Sequence, residues 1–167
     1  AMGAVLFLWA FASFLIWWGY TGYLFFLRLC GKGGEGEKPQ GQSLRIGLVV
    51  PCYNEVDLIE QKIANLASLR VPEGQTDMMI VDGGSGDGTW EMAQKLAEEV
   101  PHLRLLRAPS RGKIPQLNHA LSNMEADVIV NSDVDAQLAE DVLVKLVEEF
   151  RKDPKVGVVG AFVSPQD

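Results

Sequence analysis

No charged residue occurs between Ala1 and Leu27, a run of 27 positions filled largely by Leu, Phe, Trp, Ala and Gly. Such a run cannot form the surface of a water-soluble domain, so it constrains the chain more than any other feature. About 20 apolar residues cross a bilayer as a helix, and this run is long enough to span with some tilt. Trp9, Trp17, Trp18, Tyr20 and Tyr23 add rings that favour membrane interfaces. A cleaved signal peptide is the alternative, and it expects a basic start, a shorter apolar core and a small-residue cleavage site. The start here has no Lys or Arg, and the run is too long. The expectation is a transmembrane anchor over residues 1–29.

The flanks orient it. Arg28, Lys32, Lys38 and Arg45 follow the span and no basic residue precedes it. The positive-inside bias therefore places the rest of the chain in the cytoplasm, at an inner or plasma membrane. Cys30 and Cys52 lack metal-like spacing and suit a reducing compartment. Residues 30–43, with Gly31, Gly33, Gly34, Gly36 and Gly41 among charges and a proline, read as a flexible linker. Beyond Pro39 stand 20 Asp and Glu against 12 Lys and Arg, a net charge of −8. That balance excludes nucleic acid as a partner, which needs a basic footprint, and permits carboxylates that hold a metal ion.

From Leu44 onward the pattern alternates. Short apolar runs predict strands at 46–50, 78–81, 103–106, 128–130 and 156–163. Helical spacing predicts helices between them, one after Asn54 as N-cap, one opened by Asp87 or Thr89, one over 115–124 and one over 138–150. Strands and helices in this order form a mainly parallel α/β sheet covered on both faces. Ligands of such sheets bind beyond the carboxyl ends of the strands. Pro51-Cys52-Tyr53-Asn54-Glu55, Asp82-Gly83-Gly84-Ser85 and Asn131-Ser132-Asp133-Val134-Asp135 all follow strands, so carboxylate-bearing sequence gathers at one edge.

Asp133 and Asp135, two apart on an extended segment, face the same way. Two hard anionic oxygens suit Mg²⁺ or Mn²⁺, which complete their shells with waters and phosphates. A solvated turn capping the next helix would use the same residues. Asp82, at the end of a buried strand before small residues, could accept hydrogen bonds from a base or ribose, while Asp87 suits helix capping. The glycines fit neither the dinucleotide fingerprint nor an EF-hand loop. Lys113 enters a helix and suits a phosphate contact, or a plain surface charge. Tyr53 could stack on a nucleobase or pack locally, and Glu55 could bind a ligand or favour the helix N-terminus. Cys52 has no base beside it for nucleophilic catalysis, and His102 and His119 have no partners at ligand spacing.

Together these segments resemble the family 2 glycosyltransferases, inverting enzymes with the GT-A (Rossmann-like) fold. The resemblance runs from about Leu44 to the end of the chain and rests on Val50-Pro51-Cys52-Tyr53-Asn54-Glu55, Ile80 to Thr89, Arg111-Gly112-Lys113 with Leu117-Asn118, and Asp133-Val134-Asp135. It implies a nucleotide-sugar donor, a UDP-sugar, and a polysaccharide or lipid acceptor. It implies that Pro51, Tyr53 and Glu55 line the base pocket, that Asp82 binds uracil or ribose, and that Lys113 touches the nucleotide or its phosphates. Asp133 would contact ribose or metal, and Asp135 would coordinate the metal, Mg²⁺ or Mn²⁺. Residues 44–167 would then be the donor- and metal-binding part of a GT-A domain, with the general base a carboxylate beyond Asp167 and no turnover from this part alone. The pattern departs from the family at Gly83, where a second acid is frequent, and at Ile114-Pro115-Gln116, where small residues are usual. A nucleotidyltransferase and a non-catalytic, membrane-tethered nucleotide-sugar-binding module are the competing expectations.

Overall fold

The computed structural model describes residues 2–30, 44–72, 76–153 and 156–161. The chain divides between Pro39 and Gln40 into two units. In the first, α1 (Met2–Trp17) passes through a π-helical turn, Trp18–Gly22, into α2 (Tyr23–Cys30). Met2–Phe26 is long and apolar enough to cross a membrane. Its wide turn has a local cause. A side chain at Gly22 would collide with the Trp18 ring, and Thr21 Oγ1 donates to the Trp17 carbonyl at 2.7 Å. Cys30, assigned to the linker on composition, instead closes α2; residues 31–43 lie outside the described residues.

In the second unit, β1 (Ile46–Cys52), β2 (Thr76–Asp82), β3 (Leu103–Arg107) and β4 (Val128–Asn131) form one parallel sheet in the order β3-β2-β1-β4. β1 is central, and Leu48, Val49 and Val50 are fully buried, as a strand covered on both faces requires. Ile46, Leu48, Val50, Met78 and Ile80 pack with Ile59, Ile63 and Leu66 of α3 (Val56–Ala67), Ala93 of α4 (Thr89–Ala97), and Leu143 and Val147 of α6 (Val142–Lys152). Each such side chain contributes about 1.5–3 kcal/mol by leaving water. On the opposite face Val49, Met79 and Val81 meet Leu117 and Ala120 of α5 (Lys113–Leu121). Gly47 lets that layer close, since a Cβ there would stand 2.2 Å from Met124 Sδ.

Two elements differ from the sequence reading. The helix expected from Leu138 begins at Val142, with Asp141 as its N-cap. Asn65 is the cause: its side chain donates to the Leu138 carbonyl (2.8 Å) and accepts from the Leu138 amide (2.9 Å). That pairing takes the backbone groups a helix would use. The strand expected over 156–163 is absent from Val156–Ala161, and 162–163 lie outside the described residues. An apolar run becomes a strand only within a sheet ladder; among the described residues the sheet is β3-β2-β1-β4 alone, and Val158 is 89% exposed.

Candidate functional site

The sheet register aligns the strand ends. Cys52 lies opposite Asp82, and the β4 ladder stops at Asn131 opposite Val49, after which the Ser132 amide donates to the Val49 carbonyl. Residue 49 thus turns its backbone towards β4, and residue 51 does the same two positions on. Pro51, which has no N–H, faces the side where the ladder has ended.

The loops after β1 and β2 are laced together. Asn54 sits in the left-handed region (φ 55°), its amide donating to Ser85 Oγ (2.8 Å) while its own Oδ1 accepts from the Gly86 amide (3.0 Å). It does not cap α3 as expected; Glu55 is the N-cap residue, with no side-chain capping bond. The capping comes from across the site. Asp87 accepts from the Val56 amide at the start of α3 (3.2 Å) and from the Thr89 amide (3.0 Å) and hydroxyl at the start of α4. The Thr89 hydroxyl, more than any other partner, holds the Asp87 carboxyl below the usual range. Thr89 Oγ1 in turn accepts from the Glu55 amide (2.8 Å).

Asp82 is 1% exposed. Its carboxylate accepts from the amides of Gly84 (3.0 Å) and Ser85 (3.2 Å), and Arg107 Nε stands 3.7 Å away, with the Arg107 guanidinium over the Trp90 ring. Most of its acceptor capacity therefore shapes the turn. Behind it, Gln116 Nε2 donates to the carbonyls of Cys52 (2.6 Å) and Val81 (3.0 Å), tying the ends of β1 and β2 to α5.

Tyr53 and the loop before α5 meet. The Arg111 guanidinium lies 4.7 Å from the Tyr53 ring centroid, and its Nη1 donates to the Tyr53 hydroxyl (3.0 Å). Lys113, the first residue of α5, donates from Nζ to Asp133 Oδ1. Along the segment after β4, Ser132 and Val134 are buried while Asp133 and Asp135 are exposed, so the alternation expected for the pair holds although β4 itself has ended. Among the described residues Asp135 has no hydrogen-bond or ion-pair partner, and no set of three His, Cys, Asp or Glu residues could ligate a metal.

Sequence reasoning missed Lys62. It lies on the buried stripe of α3 between Ile59 and Leu66, with no exposed surface, and Nζ donates to Ser132 Oγ (2.8 Å) and the Ala136 carbonyl (2.6 Å). Burial lowers its pKa to about 8 against the opposing fields of Asp133 and Asp135. A charged residue at the i+3 position of an apolar stripe was the available signal. The fold thus brings Tyr53, Arg111, Lys113 and Asp133 into mutual contact or linked pairs. Glu55 stands at the α3 cap, and Pro51 and Asp82 lie at the strand ends. His102 is exposed, with φ 63°. Burial, then the charges of Asp82, Glu55 and Asp87, push the Cys52 thiol up to about 12, leaving no thiolate nucleophile at neutral pH.

The chain is similar in sequence and fold to known proteins. A beta-monoglucosyldiacylglycerol synthase of Trichormus variabilis is 34% identical over 123 residues, 72% of this chain and 26% of the relative. A poly-beta-1,6-N-acetyl-D-glucosamine synthase of Staphylococcus aureus is 30% identical over 114 residues, 68% and 27%. The chain thus spans about a quarter of the length of these relatives. Among solved structures, the mannosyltransferase PcManGT of Pyrobaculum calidifontis, in complex with GDP-Man and Mn²⁺, superposes with a TM-score of 0.62 at 30% identity, covering 89% of this chain and 45% of that one. Staphylococcus aureus TarS, in complex with UDP-GlcNAc, shares the fold with a TM-score of 0.58 at 20% identity, over 74% and 37%. The model of glycosyl transferase family 2 matches residues 48–167, from within β1 onward, and the chain belongs to that family.

Proposed function

We propose that residues 44–167 bind the nucleotide-sugar donor of an inverting glycosyl transfer to a polysaccharide or lipid acceptor, held at a membrane by the N-terminal helix. The observation that carries the reading is the meeting of Lys113 with Asp133, beside the exposed Asp135 and the Tyr53–Arg111 pair, at the carboxyl edge of a parallel sheet. A diphosphate needs a cation, and a nucleobase needs a flat surface; both stand at this edge. Tyr53 with Arg111, Pro51 and Glu55 would border the base, and Lys113 would meet the phosphates. Asp82 would reach base or ribose with the acceptor capacity the turn leaves, and it fixes that turn in any case.

The donor set at the segment after β4 fits Mg²⁺ or Mn²⁺. Asp133 and Asp135 offer only hard oxygens and are exposed, and two protein ligands suit an ion that keeps waters and takes substrate phosphates. Such an ion would supply charge neutralisation to the departing nucleoside diphosphate. The residues of this chain orient the donor; the carboxylate that deprotonates the acceptor hydroxyl in a single in-line displacement would come from outside residues 44–167. The nucleotide is read as UDP. The basic residues Arg28, Lys32 and Lys38, which follow the uncharged run, support a cytoplasmic site.

The test is calorimetric titration of UDP, and separately of GDP, with and without Mn²⁺, into the chain and into Asp135→Ala. Metal-dependent binding that the variant loses supports the reading. Binding of neither nucleotide by the folded chain overturns it, and binding of GDP alone replaces the nucleotide.

A further inference from the structure

We propose that Lys62 is a positioning residue, holding the carboxylates of Asp133 and Asp135 in place from beneath; this rests on reading that pair as the metal and donor site. Its two hydrogen bonds bracket the pair, one to Ser132 Oγ immediately before it and one to the Ala136 carbonyl immediately after. Ser132 Oγ itself donates to the Asp133 carbonyl (3.2 Å), and the Ala136 amide closes a turn onto that same carbonyl (3.3 Å). The register with β1 ends at Asn131, and the Ser132 amide makes the last bond to that strand, at the Val49 carbonyl.

Stability does not account for a lysine here. Among the described residues Nζ has no carboxylate within ion-pair distance, and burying an ammonium without one costs several kcal/mol. A Met would fill the same stripe between Ile59, Ile63 and Leu66 without that penalty. The charges that favour the protonated lysine are those of Asp133 and Asp135 themselves. Lys62 therefore does two things for the pair. It fixes their backbone, and it offsets part of their repulsion from the protein side, where solvent cannot.

The experiment compares the chain with Lys62→Met and Lys62→Arg by amide hydrogen exchange and by calorimetry with UDP and GDP, each with and without Mn²⁺. Lys62→Met is expected to accelerate exchange at Ala136 by about tenfold and to weaken Mn²⁺-dependent nucleotide binding by about tenfold. Metal-free nucleotide binding should stay unchanged, and Lys62→Arg should recover much of the loss. A merely structural lysine would not separate metal-dependent from metal-free binding. If Lys62→Met does not fold, Ser132→Ala removes one of the two acceptors and takes its place. Unchanged Ala136 exchange, or unchanged metal-dependent affinity in the variant, overturns the proposal. A wild-type chain without metal-dependent binding overturns the site reading first, and is recognised because it fails before any variant is made.

Discussion

Lys113 Nζ donates to Asp133 Oδ1 across the carboxyl edge of the sheet, joining the first turn of α5 to the segment after β4. The two side chains are 50% and 57% exposed, so water screens the pair and its contribution to stability is at most about 1 kcal/mol. In the proposed donor site its meaning would be functional: Lys113 and Asp133 would neutralise each other until a diphosphate and a metal offered each a better partner.

Lys113→Met is accordingly predicted to change the unfolding free energy by less than about 1 kcal/mol while weakening UDP binding about tenfold, the scale of one charge-assisted hydrogen bond. Raising the salt concentration should weaken wild-type binding more than that of the variant. Equal affinity of the two proteins at low salt would remove Lys113 from the site.

Lys62 sets a pH dependence of the same sense as acid denaturation, but in an alkaline window. Its pKa is about 8 in the folded chain against an ordinary 10.5. Between those values the unfolded chain binds more protons, so stability rises with pH. The penalty for burying the charge is complete below about 8 and is relieved as pH climbs towards 10.5, with a ceiling of about 3 kcal/mol. Lys62→Met should therefore be the more stable protein near neutrality, with the gap narrowing above that lower pKa. Urea unfolding at several alkaline pH values measures this, and a constant gap contradicts it.

Asp87 serves two helix N-termini at once, through the Val56 amide of α3 and the amide and hydroxyl of Thr89 in α4. Asp87→Ala is predicted to destabilise the unit, because it removes a cap shared by two helices. Because its carboxyl is held below the usual range, the wild-type advantage is full above the unfolded carboxyl value and is lost as pH falls through the depressed one. The difference in unfolding free energy between the two proteins should vanish in strong acid; if it persists there, the ionised carboxylate is not the cause.

The sheet was legible because its central strands β1 and β2 are buried on both faces and read as continuous apolar runs, and the carboxyl-edge rule then located the loops. The limits of α6 were not, because Asn65, a residue of another helix, decides where Leu138 goes. The Asp87 cap on α3 escaped for the same reason, being a contact across 31 residues. Lys62 was hidden by convention: an apolar stripe is read from its apolar members, and the one cation within it was passed over.

Gly83 and Gln116 stand among the positions read as departing from the family pattern, Gln116 as part of Ile114-Pro115-Gln116, and the fold brings them together. A Cβ on Gly83 would stand 2.6 Å from Gln116 Nε2, an atom held by the carbonyls of Cys52 and Val81 in a side chain only 3% exposed. The glutamine fills the space that a side chain at 83 would enter, so Gln116 in this placement requires glycine at 83. Gly83→Asp is predicted to displace Gln116 and cost about 1–3 kcal/mol through the two bonds that the buried side-chain amide of Gln116 loses. In a Gln116→Ala background, where those bonds are already lost and the space is free, the same substitution should cost less by about 1 kcal/mol or more. A double-mutant cycle on unfolding free energies reads the coupling directly. Additive costs would mean that the two departures arose independently and that the contact between them has no energetic weight.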